Sequence, residues 1–370
     1  MAYHQRDFRH VEVVDDYESP RVDALIDDLA LRFRARRILS SAEADVIRAA
    51  RSRERLDLPG QRLDSAQAFR DKFDMKQRVA SQGLSVPPMR KLRRSADLLA
   101  FSERHGFPVV VKPRAGGGSV GVSVLSSPSE MHTFLNRWTA QQATGVQTPF
   151  LVEAWVDGGF YTLDGLMMGG RILQVWPSRT TANFEAVSGN SLLNSWMLSP
   201  DDPLKSTISC FVSQVIATLP AIDEITAFHA EVFEQPDGKL TLCEIACRPG
   251  GCGHVPVYEH AFGINLYAET LRGQAGLPRD LRSLEEIQSR SGGFIWFPPK
   301  PGKLKFIPTV CPLPGVLRYS ASATVGAYYG APRSVADNIA QAFLTGAPDS
   351  DIAPIVQNVG NWWTHRCLWE

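Results

Sequence analysis

The sequence predicts an α/β protein of the α+β kind, with more than one subdomain. Short β-branched stretches such as Val109–Val111 are typical of strands, and they alternate with segments whose apolar residues recur at helical spacing. A length of 370 residues also allows two or three domains or subdomains.

The composition is that of a globular protein, with 44% hydrophobic and 21% charged residues. Lys+Arg and Asp+Glu both number 39, and this balance argues against nucleic acid or an anionic membrane as a partner. No apolar run approaches the roughly 20 residues of a membrane span, and the first residues lack the apolar core of a signal peptide. Six cysteines in so long a chain do not suggest a disulfide framework. We therefore expect a cytoplasmic protein.

The first 70 residues are predicted to form a small α/β unit. Its predicted elements are a strand, a helix, a strand and a helix: His10–Val14, Val22–Leu31, Arg36–Leu39 and Ala42–Leu56. Ser41 is the expected N-cap of the second helix. The arginines of that helix are interpreted as a solvated face: Arg48, Arg51, Arg53 and Arg55.

Beyond a break at Leu58–Gly60, helices and strands are expected to alternate. The predicted helices are Ser65–Gln82, Ser95–Arg104, Pro128–Ala140, Leu204–Leu219 and Val335–Phe343. The predicted strands before residue 200 are Phe150–Val156 and a hairpin of Phe160–Met168 with Arg171–Trp176. Residues 180–203 are polar and aperiodic, which predicts a mobile loop near a substrate.

A glycine-rich loop joins the strand that ends at Lys112 to a second strand, Val122–Leu125. Its glycines are Gly116, Gly117, Gly118 and Gly121. Glycine lets backbone N–H groups approach a ligand closely, and such groups beside a lysine form a cradle for polyphosphate. The P-loop and the dinucleotide fingerprint are excluded, because both open a helix. The loop is therefore interpreted as a lid over phosphates, with a plain surface turn as the alternative.

Two glutamates are predicted to face each other across a second hairpin, which turns at Asp237-Gly238. Two-residue and four-residue turns both place Glu231 opposite Glu244, with Cβ atoms about 5 Å apart. Facing carboxylates among apolar residues need a proton or a cation between them; for a cation, Mg²⁺ is the first choice, with Mn²⁺ as the other candidate. An exposed pair or a register slip is the alternative.

Arg248 follows the second glutamate strand on a glycine turn, from which its guanidinium can reach phosphate or carboxylate oxygens. Nearby Cys243, Cys247 and Cys252 do not have zinc-ligand spacing, so packing is favoured over metal binding. His229 shares a strand face with Glu231, and both a site contact and a structural role remain open for it.

Four separated motifs, in this order, resemble the ATP-grasp superfamily, and within it the carboxylate–amine ligases such as bacterial L-amino acid ligases. The motifs are Phe69–Lys72 with Met75–Lys76, Lys112 with its glycine loop, Glu153–Gly158, and Glu231 with Glu244–Gly251. The resemblance covers about residues 57–275. It implies an ATP-grasp fold with a short N-terminal α/β unit (1–70), a phosphate-lid subdomain (71–150), a nucleotide and metal subdomain (151–280) and a C-terminal subdomain (281–370).

The resemblance also implies residue roles. Lys72 and Lys112 match lysines that hold nucleotide phosphates, and the lid residues are Gly116, Gly117, Gly118, Ser119 and Gly121. Glu153, with the backbone of Ala154, Trp155 and Val156, matches the hinge that binds adenine. Glu231 and Glu244 match the metal ligands, and Arg248 matches the arginine that steadies the transferred phosphate. Two positions depart from the family pattern: Phe160 replaces a ribose-binding glutamate, and Ala246 replaces a third metal ligand.

The function implied is an ATP-dependent ligase that forms an amide through an acyl phosphate, with Arg248 and Lys112 as its catalytic residues. Its partners would be a small carboxylate and an amine, with amino acids as the expected class, and a homodimer is common among similar ligases. Three alternatives remain open at this point. They are a thiol acceptor or cyclisation, simple phosphoryl transfer, and nucleotide binding without turnover.

Overall fold

A computed structural model describes residues 8–143, 148–181, 192–279 and 290–370. The helices of these ranges are α1 (Pro20–Arg32), α2 (Asp45–Arg55), α3 (Leu63–Arg70), α4 (Lys72–Ser81), α5 (Ser95–His105), α6 (Pro128–Ala143), α7 (Pro203–Ala217), α8 (His254–Phe262), α9 (Leu266–Gln274) and α10 (Ala353–Arg366). No helix within them is long and apolar enough to cross a bilayer.

The strands form three sheets. They are β1 (Met89–Leu92), β2 (Val109–Pro113), β3 (Ser123–Leu125), β4 (Phe150–Ala154), β5 (Gly159–Met168), β6 (Arg171–Thr180), β7 (Leu193–Met197), β8 (Thr226–Glu234), β9 (Leu240–Ala246), β10 (Ser291–Phe297), β11 (Gly302–Phe306), β12 (Val316–Ala321), β13 (Tyr328–Tyr329), β14 (Ala340–Gly346) and β15 (Leu368–Trp369). The sheet orders are β1-β4-β2-β3, β12-β14-β10-β7-β6-β5-β8-β9 and β13-β11-β15. Neighbouring strands pair antiparallel, so the predicted α+β class is confirmed.

Helices cover these sheets through apolar stripes. On α7, Ile208, Val212 and Val215 recur at helical spacing and are fully buried against β6 and the main core. The four-stranded sheet has its own core, which includes Leu98 of α5 and Trp138 of α6. The two sheets are therefore separately packed layers that can present faces to a common cleft.

The N-terminal region is helical rather than α/β. No strand lies within residues 8–88, and the strands predicted at His10–Val14 and Arg36–Leu39 are wrong. Two short strands alone cannot bury enough surface to be stable. Helix α2 begins at Asp45 after Ala44 rather than at a Ser41 cap, and Arg53 is buried, donating from Nη2 to the Ile38 carbonyl at 2.6 Å.

Three further element predictions need correction. The helix predicted over Ser65–Gln82 is broken at Asp71, whose side chain accepts the N–H groups of Phe73 and Asp74 and caps α4. The helix predicted over Val335–Phe343 is wrong, because β14 pairs there with both β10 and β12. Strand β7 occupies part of the loop predicted at 180–203, and residues 182–191 of that loop lie outside the described residues.

Candidate functional site

A cavity of about 360 Å³ lies between the four-stranded and the eight-stranded sheets. Strands β2 and β4 contribute one wall, and β5, β8 and β9 contribute the other. Thirteen of the fourteen residues named in the sequence-based assignment line it, and Gly121 is the exception. Their assigned roles remain predictions, but the fold does bring them together.

A row of paired residues runs along β5 and β8 beside the cavity, and all of them line it except Asp164, which lies behind His229. Phe160 faces Phe233, then Thr162 faces Glu231, and then Asp164 faces His229. Each step is two residues, about 7 Å along a strand, so all three pairs point to the same side. Along the strands, the site therefore passes from an aromatic pair, through the carboxylate of Glu231, to the imidazole of His229.

Glu231 pairs with Glu244 as predicted, but not through the predicted turn. The pairs nearest the turn, Glu234 with Leu240 and Val232 with Leu242, leave Gln235–Lys239 as the turn segment. A β-bulge at Cys243 then restores the register. An inserted residue of this kind bends its strand and re-aims the side chains beside it.

Lys72 stands beside this carboxylate pair at the first position of α4. Its Nζ donates to the Gly116 carbonyl at 2.7 Å and lies 3.1 Å from Glu244 Oε2. Burial works against ionisation of Glu244, but Lys72 and Lys112 lower its pKa to about 2. Glu244 is therefore a carboxylate at neutral pH, available to a cation.

Glu153 binds two lysines. Its Oε1 accepts from Lys76 Nζ, and its Oε2 lies 2.8 Å from Lys112 Nζ. Burial opposes ionisation, yet the two ammonium groups lower the pKa of Glu153, and Glu153 in turn raises the pKa of Lys112 against the effect of burial. The side chain predicted to bind adenine thus orients Lys112, the lysine predicted to bind phosphate, and Lys76 is a buried partner that the assignment omitted.

The glycine-rich loop covers the cavity and joins β2 to β3, as predicted. Ser119 and Gly118 adopt positive φ angles of 60°. Gly121 has φ 75°, and a Cβ there would lie 2.9 Å from Pro113 Cγ, so this glycine shapes the turn. Val335 of the C-terminal region donates its backbone N–H to the Gly118 carbonyl at 3.3 Å and also lines the cavity.

Arg248 reaches the cavity from the loop after β9. Its Nε donates to Glu43, and its Nη1 donates to the Pro249 carbonyl at 2.8 Å. Glu43 also accepts from Arg70. Sequence reasoning missed Glu43, because it lies 205 residues from Arg248 and carries no local motif.

Asp164, His229 and His254 form a buried cluster that the sequence assignment did not identify. Asp164 Oδ1 lies 2.9 Å from His229 Nδ1, and Oδ2 lies 2.8 Å from His254 Nδ1. Burial favours protonation of Asp164, but the two imidazoles hold its pKa well below the usual range. Although burial opposes it, Asp164 raises the pKa of His229 to about 9.

The two departures noted in the sequence have clear structural settings. Phe160 packs against Phe233 with ring centroids 5.0 Å apart and offers no polar atom to a ribose. Ala246 lies directly opposite His229, whose Nε2 is 3.8 Å from Glu231 Oε1. An imidazole therefore stands next to the position where a third ligand was expected.

The cysteines fit the packing interpretation. All six are unpaired. Among the described residues, the one cluster with metal-ligand geometry contains Asp164, His229 and His254, and no cysteine. Burial raises the pKa of the Cys243 and Cys252 thiols to about 12, so both are protonated at neutral pH.

Comparison with known proteins gives a consistent result. Residues 105–255 match the model of the ATP-grasp domain. The L-arginine-specific L-amino acid ligase of Bacillus subtilis is 24% identical over 268 residues, which are 71% of this chain and 63% of that protein. A D-alanine–D-alanine ligase of Pseudomonas fluorescens is 28% identical over 207 residues, 55% of this chain and 61% of that protein. The chain thus covers less than two thirds of the length of these relatives.

Solved structures show the same fold. The L-amino acid ligase from Bacillus licheniformis superimposes with a TM-score of 0.73 at 17% identity, over 96% of this chain and 86% of that one. A second match is the biotin carboxylase domain of the 2-oxoglutarate carboxylase from Hydrogenobacter thermophilus, solved with MgADP. It gives a TM-score of 0.63 at 18% identity, and the match covers 94% of this chain and 78% of that one.

Proposed function

We propose that this chain, which contains an ATP-grasp domain at residues 105–255, is an ATP-dependent carboxylate–amine ligase. ATP would phosphorylate a carboxylate to give an acyl phosphate and ADP. An amine would then attack the acyl carbon, which forms an amide and releases phosphate. The printed names of the relatives support amino acids as the substrate class.

One observation carries the proposal: Lys72, Lys112, Arg248 and the lid backbone converge on one cavity with the Glu231–Glu244 pair. A carboxylate and a γ-phosphate repel each other at contact distance, the more so away from water. Cationic side chains fixed around them lower this repulsion, and positioning with electrostatic stabilisation is the main requirement for phosphoryl transfer.

Residues at different positions along the cavity would contact different parts of ATP and of the acyl phosphate. The aromatic end, with Phe160 and Phe233, suits the flat adenine, and the hinge backbone from Ala154 to Val156 borders the same cavity. Lys112, held by Glu153, would contact the phosphates under the lid. Arg248, held by Glu43, would contact the transferred phosphoryl group. The lid would exclude water, which would otherwise hydrolyse the acyl phosphate.

A divalent ion fits the carboxylate pair. Glu231 and Glu244 both line the cavity and offer hard oxygen donors, as Mg²⁺ prefers and Mn²⁺ accepts. Such an ion, when bound, neutralises charge on the phosphate oxygens. Lys72 beside Glu244 would keep that carboxylate ionised when the ion is absent.

Cellular setting and assembly follow as parts of the same proposal. The six unpaired cysteines suit a reducing compartment such as the cytoplasm. A homodimer remains a prediction, and sedimentation of the purified chain tests it.

The test is ADP release with amino acids supplied singly and in pairs. A ligase releases phosphate and ADP steadily only when an acid and an amine are both present, whereas a binding protein takes up ATP without such release. Turnover that is independent of the amine would instead favour phosphoryl transfer or hydrolysis.

Glu244→Gln and Glu231→Gln test the metal pair. Removal of a residue that merely orients a metal ligand costs about 10- to 100-fold in metal affinity, so we expect each variant to lose at least about 100-fold in turnover. Binding of Mn²⁺, followed by its electron paramagnetic resonance signal, should weaken in parallel. The exposed Glu103→Gln of α5 is the control, and near-normal Mn²⁺ binding by Glu244→Gln would contradict the assignment.

A further inference from the structure

Asp164 holds both histidines of the cluster, His229 through a hydrogen bond and His254 through an ion-pair contact. Each oxygen of Asp164 meets the Nδ1 atom of a different histidine, at 2.9 and 2.8 Å. The low pKa of Asp164 means that it is ionised and can only accept. Both Nδ1 atoms therefore carry protons, and any further bond must be made through the Nε2 atoms.

Both imidazoles line the main cavity, whereas Asp164 lies behind them. Carboxylate contact at one ring nitrogen orients an imidazole and raises the basicity of the other nitrogen. In the described part of the chain we find no hydrogen-bond partner for Nε2 of His254. His254 thus presents an oriented Nε2 atom to the cavity.

The position of the cluster places it on the acyl side of the site. Asp164 and His229 lie one two-residue step, about 7 Å, beyond Thr162 and Glu231. They lie two steps from the aromatic pair at the opposite end. Burial lowers the pKa of Arg248, but Glu43 raises it, and Glu244 and Asp164 contribute in the same direction, so Asp164 lies near the guanidinium. An amine that attacks an acyl phosphate held by Arg248 would arrive in this region.

The proposed reaction needs a proton acceptor there. A substrate ammonium has no lone pair, so it must lose a proton before or during attack. The other ionisable groups that line the cavity in the described residues are poorly suited. Glu153 is bound by two lysines, Glu231 and Glu244 are assigned to the metal, and Asp157 accepts from Trp155 beside the aromatic end. The Cys243 and Cys252 thiols are protonated, as described above.

His229 is a weaker candidate than His254. Its Nε2 lies 3.8 Å from Glu231 Oε1 and so points toward the carboxylate pair. His254 is the first residue of α8 and contacts the His229 ring edge-on, at a centroid distance of 4.8 Å. The charged and titratable groups around His254 are Asp164 from β5, His229 from β8, Arg248 and Cys252 from the preceding loop, and Tyr258 from its own helix.

We propose that Nε2 of His254 is the general base that takes the proton from the attacking amine, with Asp164 as the positioning residue that fixes its tautomer. The inference rests on the proposed ligase function. The amine nitrogen bonds to the acyl carbon, the carbon–oxygen bond to phosphate breaks, and phosphate leaves with the electron pair. The substrate ammonium loses two protons in all: one passes to His254 Nε2, where Asp164 stabilises the resulting imidazolium, and the other leaves with the released phosphate.

The experiment compares two nucleophiles in His254→Gln, Asp164→Asn and the wild type. An amino acid is an ammonium ion at neutral pH and needs the base, whereas hydroxylamine is largely uncharged and reacts with acyl phosphates unaided. General-base catalysis contributes about 10²- to 10⁴-fold. We expect His254→Gln to lose that factor in amide formation while it keeps hydroxamate formation within about threefold of the wild type.

Asp164→Asn should show the same selectivity for nucleophile. An amide accepts at one end and donates at the other, so it leaves one of the two imidazoles in the wrong tautomer. His260→Gln, a histidine on the same helix that contacts Thr345 instead of the cavity, should leave both reactions unchanged. Melting temperatures identify variants that fail to fold, and for those His254→Asn replaces the Gln variant.

Three outcomes would overturn the inference. In the first, amide and hydroxamate formation fall equally in His254→Gln. In the second, neither reaction falls. In the third, the wild type binds a second equivalent of Mn²⁺ or Zn²⁺ that His254→Gln does not bind, which would assign the cluster to a metal. Failure of the wild type to form either product from any amino acid would instead contradict the proposed function.

Discussion

At the scale of single residues, Glu153 is the side chain that holds two buried lysines of the site, Lys76 and Lys112. It is 4% exposed, and Lys76, at 0%, and Lys112, at 6%, are buried with it. Charges can be buried like this only when they are paired and hydrogen-bonded. Removing one partner of a buried pair typically costs about 3–5 kcal/mol, because the remaining charge is left uncompensated.

Glu153→Gln is therefore expected to lower the free energy of unfolding by about 3–5 kcal/mol and to raise KM for ATP, since Lys112 loses its anchor. Urea denaturation and initial-rate kinetics measure the two effects. Asp64→Asn is the matched control, because it breaks the exposed Arg78–Asp64 pair, which is worth about 1 kcal/mol or less. Equal losses in the two variants would contradict the role given to Glu153.

The stability contribution of Glu153 should also depend on pH. Its folded pKa is lowered from an unfolded value of about 4.3. The contribution is therefore complete above the unfolded pKa and is lost as pH falls through the folded pKa. We expect the difference in unfolding free energy between the wild type and Glu153→Gln to be constant near neutral pH and to shrink below about pH 4. A difference that stays constant into acid would count against this linkage.

At the scale of elements, the β5–β6 hairpin forms the middle of the large sheet and carries Thr162 and Asp164. Gly165 lies directly after Asp164, and a Cβ there would be 2.1 Å from the Gln174 carbonyl oxygen. The close approach of the two backbones depends on this glycine. Any side chain at 165 would push the strands apart next to the cluster.

Gly165→Ala is expected to destabilise the chain by at least about 1–3 kcal/mol, as forced overpacking does. It should also reduce amide formation, because Asp164 would shift. The control is Gly330→Ala, where a Cβ meets nothing within 4 Å. Thermal unfolding compares the melting temperatures of the two variants, and we expect that of Gly165→Ala to be lower. Equal melting temperatures would show that β5 and β6 can move apart without loss of stability.

In the β8–β9 hairpin the predicted pairing of Glu231 with Glu244 is present, although the turn from which it was predicted is not. The turn segment, Gln235–Lys239, differs from both turns considered for the Asp237-Gly238 signal, and the bulge at Cys243 corrects the register by one residue. Nothing in the local sequence distinguishes a bulged from a regular strand there. Packing of Leu242 and Ile245 in the core instead requires both residues to face inward across the bulge.

At the scale of the whole molecule, segments far apart in the chain complete the site. Glu43, from the segment before α2, holds Arg248, and Val335, from the C-terminal region, holds Gly118 of the lid. The N-terminal and C-terminal segments are thus joined to the main cavity. The order of the subdomains, with the predicted boundaries at 70, 150 and 280, remains a prediction.

Glu43→Gln should release Arg248. A hydrogen bond to a charged group is worth about 1.5–3 kcal/mol, so we expect turnover to fall about 10- to 100-fold with little change in KM for ATP. The exposed Glu18→Gln, on the approach to α1, serves as the control. A larger effect on ATP binding than on turnover would indicate that Glu43 supports the lid rather than the arginine.

Local patterns were sufficient for the glycine-rich loop between two strands, for the existence of the β8–β9 hairpin, for the amphipathic helices and for the resemblance that named the fold, because each is encoded within a short stretch of chain, whereas the turn and the bulge of that hairpin were not. The contacts of Asp164 with His229 and of Glu43 with Arg248 join residues 65 and 205 positions apart. Such contacts depend on which strands become neighbours and in what register. They could therefore be seen only once the sheets were packed together, since burial selects among pairings that the local sequence leaves equivalent.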